Sequence, residues 1–294
     1  MKILVTGREG QVARSLAERA AGHPAIEFVA AGRPELDLLN PETVMSAIAA
    51  ARPDIVVSAA AYTAVDQAED EPECARAINV LGAGMVAAAA ASVGAAVIHL
   101  STDYVFSGAQ EGEYRETDRP DSQGAYGRTK LEGEQAVAAA NPRHVILRTA
   151  WAYSPFGRNF VKTMLGLAGQ RDSIRVVADQ WGNPTSALDI ADGVLRIAEA
   201  IESEDRADRY GIFHLAGAGS TNWSGLARQV FAESRLLGGP VARVEEIATE
   251  DYPTRARRPR NSRLCCEKLW HAYGWRAPDW RVSCRAVVER LVKG

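Results

Sequence analysis

Tyr126 and Lys130 stand four residues apart in Tyr126-Gly127-Arg128-Thr129-Lys130, and a Ser101-Thr102-Asp103 triplet lies upstream where an apolar run ends. Residues at i and i+4 of a helix share one face, so the phenol and the ammonium would project into the same space. A free tyrosine, with a pKa of about 10, is a poor acid or base at neutral pH. A cation held within about 4–6 Å favours the phenolate and lowers that pKa. The product is a proton donor suited to a carbonyl oxygen on its way to becoming an alcohol. An ordinary amphipathic helix carries the same spacing by chance, so the rest of the chain has to decide.

Those side chains need a scaffold, and the first half supplies one. Short β-branched runs at Lys2–Thr6, Glu27–Ala31, Asp54–Ser58, Ala96–Leu100 and His144–Arg148 alternate with helical patterns near Gln11–Ala21, Pro41–Ala51, Pro72–Ser92 and Tyr126–Ala139. Strands and helices alternating at this length predict an α/β fold, a parallel sheet covered on both faces. The continuous apolar runs Ile55-Val56-Val57 and Val97-Ile98-His99-Leu100 fit buried parallel strands. After Trp151 the pattern loosens. Helices are expected near Asn159–Leu167, Leu188–Ile201 and Trp223–Ser234, with short strands near Ile174–Val177 and Ile212–Leu215. The division expected is residues 1–150 as a nucleotide-binding domain, which also receives segments at about 178–200, and residues 151–294 as mainly a smaller substrate-binding lobe.

The first strand runs directly into Gly7-Arg8-Glu9-Gly10-Gln11-Val12-Ala13 and then a helix. Glycine lets the backbone turn sharply and approach a pyrophosphate, whose charge settles on the helix N-terminus. Ala13 is small enough for the helix to pack close to the strand. A tight turn without a ligand is the alternative. At the end of the second strand, an acidic residue would bind the ribose hydroxyls of NAD. This chain has Ala30-Ala31-Gly32-Arg33 instead, and the planar fork of Arg33 suits a 2′-phosphate. NADPH is therefore the expected cofactor, with NADH tolerated.

Bulk properties narrow the classes. The 294 residues carry a net charge of −3 and 24% charged residues, so no global charge invites nucleic acid or a membrane surface. No apolar run reads as long enough to span a bilayer. Cys74, Cys265, Cys266 and Cys284 show no metal or redox spacing, which is most simply a cytoplasmic protein with reduced thiols.

The order of nucleotide loop, Thr102 and YxxxK resembles the extended short-chain dehydrogenase/reductase superfamily and, within it, the dTDP-4-dehydrorhamnose reductase family. Further segments carry that resemblance: Gly10-Gln11-Val12, Ala60-Ala61-Tyr62-Thr63-Ala64-Val65-Asp66, Ser101-Thr102-Asp103-Tyr104-Val105-Phe106, Arg148-Thr149-Ala150-Trp151, Asp179-Gln180-Trp181-Gly182-Asn183-Pro184-Thr185 and Arg258-Pro259-Arg260-Asn261-Ser262-Arg263-Leu264. The resemblance implies a Rossmann-like doubly wound parallel sheet with a smaller C-terminal substrate-binding α/β lobe. It also implies reduction of the 4-keto group of dTDP-4-dehydro-β-L-rhamnose by NADPH. Carried over by position, Thr102 bonds the keto oxygen, Tyr126 donates the proton, and Lys130 holds the nicotinamide ribose and tunes the tyrosine. Gly7, Gly10, Gln11, Val12 and Arg33 would hold the phosphates, Asp37 and Leu38 the adenine, and Ala61, Tyr62 and Thr63 the nicotinamide half. Thr63, Ala64, Thr102, Asp103, Tyr104 and Trp151 would shape the sugar pocket, with Arg258, Asn261 and Arg263 toward the diphosphate.

One departure bears on assembly. Where some relatives place acidic residues that hold magnesium between subunits, this chain has Ser15 and Leu188, although Asp189 and Asp192 are close by. A carboxylate-free position is a poor ligand for that hard cation, so a monomer, or a homodimer without a bridging metal, is expected. Two rival enzyme readings follow from the same superfamily. Its dehydratases use a glutamate after the Thr-Asp pair, where this chain has Tyr104, and its epimerases usually carry an acidic residue where this chain has Gly32-Arg33. A third rival is a binding module like the regulatory subunit of methionine adenosyltransferase, which would have no reason to keep Thr102, Tyr126 and Lys130 together.

Overall fold

The computed structural model describes residues 1–294. The chain opens with β1 (Lys2–Thr6), α1 (Gln11–Ala20), β2 (Glu27–Ala31), α2 (Pro41–Ala51) and β3 (Ile55–Ser58). A long helical stretch follows as α3 (Pro72–Arg76), a π-helical insert (Ala77–Gly82) and α4 (Ala83–Ser92). Then come β4 (Ala96–Thr102), α5 (Ala125–Ala140) and β5 (His144–Thr149). The second half holds β6 (Ala152–Tyr153), α6 (Phe160–Ala168), β7 (Ser173–Val177), β8 (Trp181–Gly182), β9 (Thr185–Ser186), α7 (Ala187–Ser203), β10 (Gly211–His214), β11 (Thr221–Asn222), α8 (Trp223–Leu236), β12 (Arg243–Ile247), α9 (Glu267–Tyr273) and α10 (Trp280–Lys293).

Six parallel strands form the main sheet in the order β10-β5-β4-β3-β1-β2. Every residue of β3 and β4 is buried, as the uninterrupted apolar runs require for strands covered on both faces. On one face Leu16, Ile190, Val194, Leu269 and Tyr273 bring α1, α7 and α9 onto the sheet. On the other, Val44, Ile48, Val86, Ala87 and Val137 bring α2, α4 and α5. The fold is thus α/β and doubly wound. Alanine along α4 sets the spacing there, since a Cβ on Gly84 would lie 3.2 Å from that of Ala136. The second half adds its own core of Tyr153, Val161, Leu226, Phe231, Trp280 and Val287.

Two expectations are corrected. The strand expected near residues 212–215 is not a lobe strand: Gly211–His214 pairs in parallel with Val145–Arg148 and forms an edge of the main sheet. Residues Pro72–Ser92 do form one helix long and apolar enough, by length and composition, to cross a membrane. Half of that stretch is buried inside the fold, and its π-helical insert carries the buried polar Asn79, so its apolarity answers to core packing against α2 and α5. The C-terminal stretch adds β12, α9 and α10.

Candidate active site

Helix α5 begins at a pinch point. Its N-cap, Gly124, offers no side chain, and Glu69 instead accepts the Ala125 N–H at 2.7 Å from 56 residues away. A carboxylate there also complements the positive end of the helix. One turn in, a Cβ on Gly127 would collide with the Tyr104 carbonyl and the Ser122 hydroxyl, so only glycine allows the helix this close to the turn Asp103–Val105. Tyr126 is thereby set edge-on to Tyr104, with ring centroids 5.9 Å apart. The same pinch brings Tyr126 beside Thr102, whose hydroxyl accepts the Tyr104 N–H at 3.2 Å and donates to Asp103 Oδ1 at 3.1 Å. Tyr126, Val65, Glu69, Tyr104, Arg257 and Pro259 enclose a small pocket at this point.

The electrostatics differ from the sequence expectation. Burial pushes the Tyr126 phenol up to about 12, the Thr102 hydroxyl pulls it down, and the Asp103 charge pushes it further up. The tuning expected from Lys130 is absent because its ammonium turns to the strand. It donates to the Leu100 carbonyl at 2.6 Å and lies 3.3 Å from His99 Nε2. Burial brings Lys130 down to about 8, against the opposing charge of Glu134. His99, fully enclosed between Lys130 and the Ser58 hydroxyl (3.1 Å), is held well below its usual range by burial and by the lysine charge.

Asp103 is 3% exposed, and burial raises its carboxyl to about 7, against the Ser262 and Thr102 hydroxyls. Between about pH 4 and pH 7 the folded chain keeps a proton that the unfolded chain has released, so stability falls as pH rises through that window. Asp103→Asn removes the titration. Denaturant melts are expected to show the variant more stable than wild type by about 2–4 kcal/mol at pH 8, with the difference vanishing near pH 4.

The loop expected to hold the dinucleotide follows β1, beside the ends of β2 and β3. Gly7 has φ of +89°, and its N–H donates to the Ala31 carbonyl at 2.7 Å. Thr6 Oγ1 accepts the N–H groups of both Ala59 and Ala60 at 3.0 Å, which locks β3 to β1 where the loop turns. Helix α1 starts at Gly10 with no side-chain cap and no acidic residue in its first turn, so its N–H groups suit a pyrophosphate. Ala13 is buried at the helix–strand contact. Val12 is partly buried against the core. The Gln11 side chain turns away to the lobe, where its carbonyl accepts from Ser154 Oγ at 2.8 Å and Asn159 Nδ2 at 2.9 Å. The nucleotide loop and the lobe are therefore tied together.

Beyond β2, Leu38 is buried against Gly82, and Asp37 Oδ1 accepts the Leu39 N–H at 3.0 Å. Asn79 in the π-helical insert grips Tyr62 from both sides, accepting its N–H at 2.9 Å and donating to its carbonyl at 3.2 Å. It also donates to Thr129 Oγ1 at 3.1 Å, which links the loop Ala61-Tyr62-Thr63 to α5. Sequence reasoning missed this residue, although an asparagine inside an apolar helix was its signal. It also missed Arg8, which packs on Gly32 and pairs with Glu35 at 2.9 Å. Arg33 is exposed and makes no ion pair. Together these features fit a phosphorylated dinucleotide. Arg33→Asp is expected to lower kcat/KM for NADPH by roughly 10- to 100-fold while sparing NADH, read from parallel assays with each cofactor. Unchanged selectivity would remove Arg33 from the site.

Thr63 and Ala64, expected to line the sugar pocket, are exposed. Trp151, with φ of +47°, stacks on Trp223 at 3.6 Å and leaves no room for a Cβ on Gly182. Members of the arginine-rich segment are differently engaged. Arg258 forms a bidentate pair with Asp66 at 3.0 and 2.7 Å, and Arg255 pairs with Asp70. Asn261 donates to the Gln110 and Gly112 carbonyls, and Arg263 bonds Asn261 Oδ1 at 2.8 Å and the Glu111 carbonyl. Arg258 and Asn261 thus hold loops together, and Arg257 is the member of the cluster that lines the pocket at Tyr126. Ser15 and Leu188 are buried, Asp189 accepts from Ser283 at 2.6 Å, and Asp192 pairs with Arg19 at 3.0 Å.

The sequence profile of the RmlD substrate binding domain matches residues 1–293. The chain belongs to that family. A dTDP-4-dehydrorhamnose reductase from Sinorhizobium fredii (strain NBRC 101917 / NGR234) is 51% identical over 292 residues, spanning 99% of this chain and 98% of the relative. Among solved structures, a dTDP-4-dehydrorhamnose reductase from Clostridium acetobutylicum superposes with a TM-score of 0.91 at 38% identity, covering 99% of each chain. A second, from Bacillus anthracis in complex with NADP, gives 0.89 at 33% identity, covering 97% of this chain and 98% of its own. The family resemblance drawn from the motifs holds, and the chain is an NAD(P)H-dependent oxidoreductase.

Proposed function

We propose that the protein reduces the 4-keto group of dTDP-4-dehydro-β-L-rhamnose to dTDP-L-rhamnose with NADPH. The similarity to named reductases across the whole chain carries this reading, and the adjacency of Thr102 and Tyr126 at the crevice supports it. The bound nicotinamide supplies the hydride to C4. Two hydroxyls, from Thr102 and Tyr126, meet the oxygen on which charge develops, where preorganised donors have their largest effect. Tyr126, protonated throughout the neutral range because of its burial, delivers the proton that completes the alcohol. Lys130, whose ammonium is held on the strand by the Leu100 carbonyl, places a buried cation one turn behind the phenol. The Trp151–Trp223 stack offers an apolar plate to a deoxysugar ring and its methyl group.

Asp66 and Asp70 draw Arg258 and Arg255 away from a diphosphate, and the pocket-lining Arg257 takes the role first expected of Arg258. The test is stoichiometric oxidation of NADPH on addition of the keto-sugar nucleotide, with the product examined by NMR. An L-rhamnosyl nucleotide is expected. A product epimeric at C4, or no NADPH consumption, would overturn the assignment.

A further inference from the structure

The inward stripe of α5 does not stop at Lys130. Glu134 lies one turn beyond it, as Lys130 lies one turn beyond Tyr126, so the three groups form a ladder on one face. Glu134 is 2% exposed and bound on three sides. Ser101 Oγ donates to Oε1 at 2.5 Å, while Arg148 Nε donates to Oε1 at 2.9 Å and a terminal guanidinium nitrogen donates to Oε2 at 2.7 Å. Ser101 immediately precedes Thr102, and Arg148 on β5 begins the segment that leads to Trp151. The rotation of the helix is fixed at the same level. A Cβ on Gly133 would strike the backbone of Asn79.

A fully buried ion pair is a poor device for stability alone, because apolar side chains of similar size do as well or better. Its placement behind the reacting groups calls for another explanation. The groups facing Lys130 are His99 and the Leu100 carbonyl from β4, and Tyr126 and Glu134 from its own helix. Asp103 follows on the turn after β4, and Arg148 lies beyond Glu134 on β5. Glu134 supplies the negative charge felt by Lys130.

We propose that Glu134 is a positioning residue for the reduction: its carboxylate keeps Lys130 a cation in a buried site and, through Ser101, holds Thr102 in line with Tyr126. The inference rests on the reductase reading above. It predicts which limb of the pH profile responds. With the carboxylate removed, burial of Lys130 is less opposed, and the ammonium gives up its proton at lower pH.

The experiment compares kcat across pH 6–10, roughly spanning the Lys130 transition, for wild type, Glu134→Gln, Glu134→Gln/Arg148→Met and Glu134→Asp. The double variant leaves no unpaired guanidinium and guards against simple unfolding of the single one. Glu134→Gln is expected to lose activity at a basic limb shifted down by about one pH unit or more, and the double variant, which also loses the guanidinium charge beyond Glu134, by a smaller step, with KM for the nucleotide sugar within about twofold of wild type in both. Glu134→Asp keeps the charge with a shorter reach, so its limb stays at the wild-type pH while kcat falls. A uniform drop in kcat with unmoved limbs in folded Glu134→Gln and in the double variant would reduce Glu134 to a structural role and overturn the proposal. An inactive wild type would instead overturn the reductase reading itself.

Discussion

Phenylalanine at position 126 is expected to lower kcat by about 10²- to 10⁴-fold, with KM for NADPH and for the nucleotide sugar changed less than about threefold. The variant keeps the ring, so the edge-on packing with Tyr104 survives and the pocket keeps its shape. In the proposed mechanism the variant lacks the proton donor and one of two hydroxyls at the oxygen, an interaction strongest in the transition state. A phenol raised to about 12 stays protonated from neutral pH well into the basic range, which suits the proposed role of acid. Steady-state NADPH oxidation measures the loss, and turnover near the wild-type rate would contradict the donor assignment.

Arg148→Met is expected to destabilise the fold by about 3–5 kcal/mol at pH 7. It leaves the Glu134 carboxylate enclosed at 2% exposure with only Ser101 to satisfy it. Adding Glu134→Gln is expected to return at least about half of that loss, since the uncompensated charge, rather than the missing arginine, is what costs. Urea unfolding of the two variants and wild type gives both numbers. A single variant within about 0.5 kcal/mol of wild type would mean that the carboxylate finds water or a proton at little cost.

Much of the architecture was legible because it rests on short-range patterns. Continuous apolar runs such as Ile55-Val56-Val57 specify strands buried on both faces. Pro41 after Asn40 marks a helix start, and the Asn40 side chain does accept the Glu42 N–H. Tyr126, Lys130 and Thr102 were legible because helix periodicity and a strand end fix their relative places. Orientation was not. Lys130 at i+4 could serve the phenol or the strand, and the Leu100 carbonyl, invisible in a string of letters, decides it. Arg258 reads as a free cation because Asp66 lies almost two hundred residues away. Helix α10 was readable and passed over: Trp280, Cys284, Val287 and Val288 recur at helical spacing beneath its arginines.

The return of Gly211–His214 to the main sheet gives the chain a seam that no single cut follows. A fragment ending near residue 150 would leave His144–Thr149 as a bare margin of unpaired amides and carbonyls, and would strip α7 and α9 from the face that Leu16 shares with Ile190 and Leu269. The two halves of the chain are interleaved rather than joined end to end, so an exchange of C-terminal halves between relatives would split the main sheet.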